Sequence, residues 1–207
     1  MEAYITVAIV AYAIGSINFA VLFSRKFAGF DVREKGSKNA GTTNVLRTVG
    51  KKVAALTLFC DILKGVIAIL AAIFAKNMWE GIDINNLKYV AGFMVILGHT
   101  FPIFFEFRGG KGVATSIGVL LMLNWKIGLI CLIFGISIIA ITKMVSLGSM
   151  LAALLFPILA IFIHEGITFF GIIVSCLIAV LVIFNHRANI KRIKEGKENK
   201  LSFKNTK

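Results

Sequence analysis

The stretch GHTFPIFFEFRGGKGVATS, Gly98 to Ser116, joins two apolar runs through one charged turn. The first run carries His99 and stops at Pro102, two aromatic pairs and a charged segment follow, and the second run opens at Val113. Between them lies Gly109-Gly110-Lys111-Gly112. Glycines leave the backbone bare, so several N–H groups can converge on an anion while the ammonium neutralises it. A helix beginning at Val113 would add free N–H groups and a positive dipole end. Two readings stand at this point: a phosphate cradle at a membrane surface, or a plain glycine turn with a solvated lysine.

Working outward, the chain has 207 residues, 58% of them hydrophobic, and a mean hydropathy of +0.88. Soluble domains are about 45–50% apolar, and here the excess is gathered into long runs. An all-α integral membrane protein follows. The formal charge of +13, from 23 Lys/Arg against 10 Asp/Glu, would suggest nucleic acid in a soluble chain. These cations instead sit between apolar runs, as positive-inside loops and contacts to anionic lipid do, so nucleic acid is set aside. Cys60, Cys131 and Cys176 stand far apart, each in an apolar run, with neither metal nor disulfide spacing. Met1-Glu2 lacks a positive n-region, and Arg25 and Lys26 follow the first run rather than precede it. That run reads as a retained span with the N-terminus outside.

Apolar runs fall at 3–23, 53–75, 88–105, 113–123, 127–142, 147–163 and 167–184. A crossing needs about 20 residues, so the fourth run is short and the fifth marginal. With seven transmembrane helices, the inner segments 24–52, 106–112, 143–146 and 185–207 hold eight, two, one and eight Lys/Arg, 19 of the 23. Fusing runs four and five would put the basic tail outside, against the positive-inside rule. Making both re-entrant leaves five helices and keeps the C-terminus cytoplasmic. Seven is the expectation and five the alternative. The chain reads as a single transmembrane domain, 1–207, with a basic cytoplasmic tail at 187–207.

The first inner segment contains GSKNAGTTNVLRTVGKK, Gly36 to Lys52. Ser37, Asn39, Thr42, Thr43 and Asn44 offer short polar side chains, Gly36 and Gly41 permit tight turns, and Arg47 supplies a fork for two phosphate oxygens. A solvated basic loop on anionic lipid is the plainer reading. Asp61 and Lys64 share a helix face, with Lys64 about 16 Å from Val53, so they must face protein or water. They read as a structural ion pair, or as a relay. Ser146 lies in the third inner loop, and His186 and Asn189 share one side of a helix at the tail's start. From Glu195 onward the tail reads as polar and frayed. If the inner loops converge, Arg47, Lys111 and Lys143 bring positive charge, and Ser37, Asn39, Asn44, Ser146 and Asn189 bring hydrogen bonds, beside an apolar wall.

Several enzyme types drop out. A Walker loop needs glycine six residues before its lysine and Ser/Thr after it, where this chain has Phe105 and Gly112. The positions five beyond His99, His164 and His186 are Phe104, Phe169 and Lys191, so the His-then-Asp acyltransferase signature is absent. No acidic cluster suggests a divalent metal.

GSKNAGTTNVLRTVGKK, FCDILKG, GHTFPIFFEFRGGKGVAT, TKMVSLGS and HRANIKRIKEGKENKL, in that order, resemble the bacterial acyl-phosphate:glycerol-3-phosphate acyltransferases of the PlsY type. The resemblance covers Gly15 to Leu201. It implies a seven-helix inner-membrane enzyme with a cytoplasmic active site and no cofactor. The reaction implied moves a fatty acyl group from acyl phosphate, not from acyl-CoA or acyl carrier protein, to the 1-hydroxyl of glycerol 3-phosphate. The products are 1-acylglycerol 3-phosphate and phosphate, the first step of phospholipid synthesis in many bacteria. By motif, Ser37, Arg47, Lys111, His186 and Asn189 would be catalytic. Gly36, Asn39, Thr43, Asn44, Gly109, Gly110, Gly112 and Ser146 would bind substrate phosphate. Lys38 and Asn18 stand where the family usually has Gly and Pro, and Lys143-Met144 replaces Arg-Tyr, which leaves the charged positions intact.

The chemistry fits those residues. Phosphate is a good leaving group, Arg47 and Lys111 could stabilise its developing charge, and two held phosphates would bring hydroxyl and carbonyl together. A substrate phosphate oxygen is the expected proton acceptor and His186 its rival. A small transporter using Asp61 and Lys64 is the alternative from another class, but the chain lacks the repeated halves such proteins often show.

Overall fold

The computed structural model describes residues 1–201, so the last part of the expected tail, 202–207, lies outside the described residues. The first apolar run is two helices, α1 (Glu2–Gly15) and α2 (Phe19–Ala28). Asn18 starts α2 by accepting the Val21 N–H at 3.1 Å, the usual device of an N-cap. The interruption frees carbonyls in a region where unpaired backbone is costly. Lys64 meets that need: its Nζ donates to the oxygens of Gly15 and Ile17 at 3.0 and 2.9 Å. Its charge is matched by Asp61 Oδ1 at 3.0 Å. The Asp61–Lys64 pair is thus built into the helix break.

A short turn at Val32–Glu34 and helix α3 (Thr42–Thr48) follow. Then come α4 (Lys51–Lys76), α5 (Ile84–Thr100) and α6 (Val113–Leu123). Asn124 ends α6 and starts α7 (Trp125–Thr142), its side chain accepting the N–H groups of Lys126 and Ile127. The chain closes with α8 (Val145–Ile163), α9 (Phe169–Asn185) and α10 (Arg187–Lys194). All seven apolar runs are helical, and the described residues contain no strand.

Among the described residues, five stretches are long and apolar enough to cross a membrane: Glu2–Ala28, Lys51–Lys76, Ile84–Phe105, Trp125–Thr142 and Val145–Ile163. Helix α9 passes that test only together with α10, from which it is bent by 57°. Helix α6 has 11 residues and rises about 16 Å, roughly half the hydrocarbon thickness. Of the two runs that the five-helix alternative makes re-entrant, 113–123 is therefore short, whereas 127–142 belongs to an 18-residue helix.

Helix α1 crosses α5 at two glycines, with Gly15 against the Val95 backbone and Gly98 against the Tyr12 carbonyl. A side chain at either position would drive the helices apart, which is how small residues act at membrane helix contacts. Helices α5, α6, α7, α8 and α9 each pack on the next, and α9 returns to α5. This ring carries much of the main core, including Val95, Val119, Ile127, Phe156 and Ile178. A smaller core of Val21, Val32, Ala40 and Val45 seats the first loop on α2.

Candidate active site

The first loop is organised by one buried amide. Asn44 Nδ2 donates to the carbonyls of Val32, Lys35 and Asn39 at 2.9, 3.0 and 3.1 Å, and Oδ1 accepts the Ser37 N–H at 2.9 Å. Asn44 is therefore committed to the loop, and it serves the site by placing Ser37 and Asn39. Arg33 ties this loop to the next one, donating through Nη1 to the Phe105 carbonyl at 2.8 Å. Burial alone would raise the Asp31 carboxyl, but hydrogen bonds from Arg33 and Arg25 outweigh it and hold the group at about 2.

The glycine turn folds back on the open end of α5. Gly109 N–H donates to the Thr100 carbonyl and Gly110 N–H to the His99 carbonyl, both at 3.1 Å. Gly110 lies so close to the His99 ring and the Ala40 carbonyl that no side chain would fit. The expectation of converging glycine amides is corrected for these two: their N–H groups cap α5. The turn's contribution to the cavity is the Lys111 side chain.

That cavity has a volume of about 400 Å³. Nine of the thirteen expected residues line it: Ser37, Asn39, Thr43, Asn44, Arg47, Lys111, Ser146, His186 and Asn189. The four glycines, Gly36, Gly109, Gly110 and Gly112, stand behind it and shape the turns. Lys143 is outside the lining as well; its backbone oxygen accepts the Leu201 N–H at 2.7 Å.

Sequence reasoning missed Arg192, which lines the cavity where Lys143 was expected, and it missed Glu198. Its Oε1 accepts from Ser146 Oγ at 2.8 Å and from Asn189 Nδ2 at 2.7 Å, while Oε2 accepts from Arg192 Nε at 2.9 Å. Asn189 Oδ1 in turn accepts from Lys111 Nζ. The tail expected to fray from Glu195 is thus tied to the site through Glu198 and Leu201. The available signal was a carboxylate placed among eight cations in residues 185–207.

Charge in the mouth is unbalanced. Burial pushes Lys111 down, Arg192 and Arg47 add to that, Glu198 opposes it, and the ammonium sits at about 8. Arg47 is likewise disfavoured by burial and helped by Glu198. Burial raises the Glu198 carboxyl, yet its hydrogen bonds from Asn189, Ser146 and Arg192 win and keep it low. Among the described residues three cations, Arg47, Lys111 and Arg192, face one carboxylate, and an incoming phosphate would relieve their mutual repulsion. His186 is pushed to about 4, by burial first and Lys111 second. Its Nδ1–H donates to the Val182 carbonyl at 2.8 Å, which leaves Nε2 a free acceptor on a neutral ring.

Beyond this mouth the lining turns apolar and runs down α6 to α9 as far as Leu120, Gly128, Phe156 and Ile178. Leu58 of α4 and Ile136 of α7 line the cavity and are 38% and 56% exposed, so at these two side chains the cavity wall is also the outer surface of the protein. Asp61 and His99 border the cavity beneath the glycine turn, with His99 Nδ1 3.5 Å from Asp61 Oδ1.

Fold and site together define an all-helical integral membrane protein with a cationic mouth over an apolar cavity. Residues 5–196 match the family described as glycerol-3-phosphate acyltransferase. A glycerol-3-phosphate acyltransferase of Clostridioides difficile (strain 630) is 46% identical over 201 residues, covering 97% of each chain. One from Thermoanaerobacter sp. (strain X514) is 43% identical over 95% of each. A crystal structure of PlsY (YgiH), an integral membrane glycerol 3-phosphate acyltransferase, in its glycerol 3-phosphate form superposes with a TM-score of 0.86 at 33% identity, covering 96% of both chains. The lysophosphatidic acid form of PlsY gives 0.83 at 31% identity, over 96% of this chain and 95% of that one. The chain belongs to the glycerol-3-phosphate acyltransferase family.

Proposed function

We propose that this protein transfers a fatty acyl group from acyl phosphate to the 1-hydroxyl of glycerol 3-phosphate, giving 1-acylglycerol 3-phosphate and inorganic phosphate. The observation that carries the reading is one cavity with two chemistries, three cations at its mouth and a hydrocarbon lining below. The mouth suits phosphate groups, and the lining suits an acyl chain. Relatives solved with glycerol 3-phosphate and with lysophosphatidic acid support substrate and product of this kind. The basic loops argue for seven helices in the bacterial inner membrane, with the N-terminus outside and the mouth and tail cytoplasmic.

In this reading Arg47 and Lys111 hold phosphate, Ser37 donates a hydrogen bond, Ser146 fixes Glu198 at the edge of the site, and Asn189 orients the Lys111 ammonium. The substrate hydroxyl oxygen bonds to the acyl carbon, the bond from that carbon to the phosphate oxygen breaks, and the electron pair leaves with phosphate. The proton passes to a substrate phosphate oxygen. A phosphate monoester takes up its proton near pH 6, whereas His186 is held at about 4, so the phosphate is the better base at neutral pH.

The test is purified, folded protein given acyl phosphate and glycerol 3-phosphate. Phosphate and 1-acylglycerol 3-phosphate are expected in equal amounts, and neither when acyl-CoA replaces the donor. Release no faster than in a protein-free blank would overturn the proposal.

A further inference from the structure

The apolar end of the cavity is closed. On α8, the lining residues Ser146, Ser149, Ala153 and Phe156 fall at spacings of three and four, a single helix face. From Ser146 to Phe156 that face descends about 15 Å. One turn deeper, Leu123, Ile127, Ala160 and Val174 are buried in the same core cluster as Phe156 and do not line the cavity. Phe156, only 2% exposed, is the bulkiest side chain on this floor, and no polar side chain lies beside it on the α8 face.

We infer that Phe156 is the stop that sets the acyl-chain length this protein accepts, with Ala153 marking the level one turn above it. The inference rests on the reading of the cavity as an acyl site. A chain that ends at Phe156 covers the apolar wall down to its floor. A shorter chain leaves apolar wall unburied, and a longer one must push into close-packed core, which resists added volume. Each methylene in such a pocket discriminates by about tenfold or more. The polar mouth lies three helical turns away, so chain length is read far from the reacting carbonyl.

The experiment measures kcat/KM for a homologous series of saturated acyl phosphates with the full-length protein and two variants. Phe156→Ala is expected to move the optimum to longer chains, with the long-to-short ratio rising about tenfold. Ala153→Leu is expected to move it to shorter chains by a similar factor. Both should keep the KM for glycerol 3-phosphate. Ala153→Leu removes no core volume, so it decides the matter should Phe156→Ala fail to fold. An unchanged profile in an active, folded Ala153→Leu protein overturns the ruler while leaving the transferase reading intact. Absence of phosphate release by the unaltered protein with every chain overturns the donor reading and the ruler with it.

Discussion

Lys64 and Lys111 are both lysines withdrawn from water, and the protein provides for them in opposite ways. Lys64 finds a carboxylate and two carbonyls at 2.9–3.0 Å, all fixed by the helices around it. Lys111 finds one neutral amide oxygen, with Arg47 and Arg192 close enough to depress its charge. A cation whose needs are met inside the protein holds structure together. A cation left short of negative charge is ready for a ligand. The depth of a charged residue in a membrane protein says little about its role until its partners are known.

Breaking the first arrangement should have the largest effect. Lys64→Met leaves Asp61 without its cation and the Gly15 and Ile17 carbonyls without a donor. Removing one partner of a buried ion pair costs about 3–5 kcal/mol, so the yield of folded protein in detergent should collapse and its thermal midpoint should fall. A Lys64→Met protein as heat-stable as the parent would undo the comparison. Lys111→Ala should do the reverse, leaving the thermal midpoint nearly unchanged while kcat/KM falls about 100- to 1,000-fold. Full activity in that variant would remove Lys111 from the site.

The comparison can be sharpened by pH. Lys111 lies at about 8, below its ordinary 10.5. Its ammonium is present below that value and is lost as pH rises through it. The kcat/KM, which reports the free enzyme, should fall about tenfold per unit on the alkaline side. Lys111→Arg should abolish this limb, because guanidinium stays charged; a limb that persists belongs to another group. The smallest effect is expected at His186. His186→Gln should lose less turnover than the roughly 100- to 10,000-fold a general base contributes. A larger loss, with substrate binding unaltered, would make His186 the proton acceptor.

Hydropathy alone located all seven helical runs, because a run of apolar residues is a local property. It could not foresee that 3–23 breaks at Asn18, since the break is made tolerable by Lys64, some 46 residues further along the chain. Loop chemistry placed Arg47, Lys111, Ser146, His186 and Asn189 around one cavity, because each loop carried its own polar signature. The Gly109 and Gly110 amides were misjudged for the opposite reason. Their partners are the carbonyls of Thr100 and His99, and the open end of a helix claims nearby donors before any ligand can. Glu198 stayed hidden because its meaning depends on a tail that turns back onto Ser146.

The cavity stands between two media. Its cationic mouth meets water, while Leu58 and Ile136 make part of its hydrocarbon wall also the outer face of the helix bundle. In the transferase proposed above, a mineral product would leave through the mouth, and the acylated product would have only the thickness of a side chain between itself and lipid. The chamber is then a boundary between two phases as much as a place for chemistry.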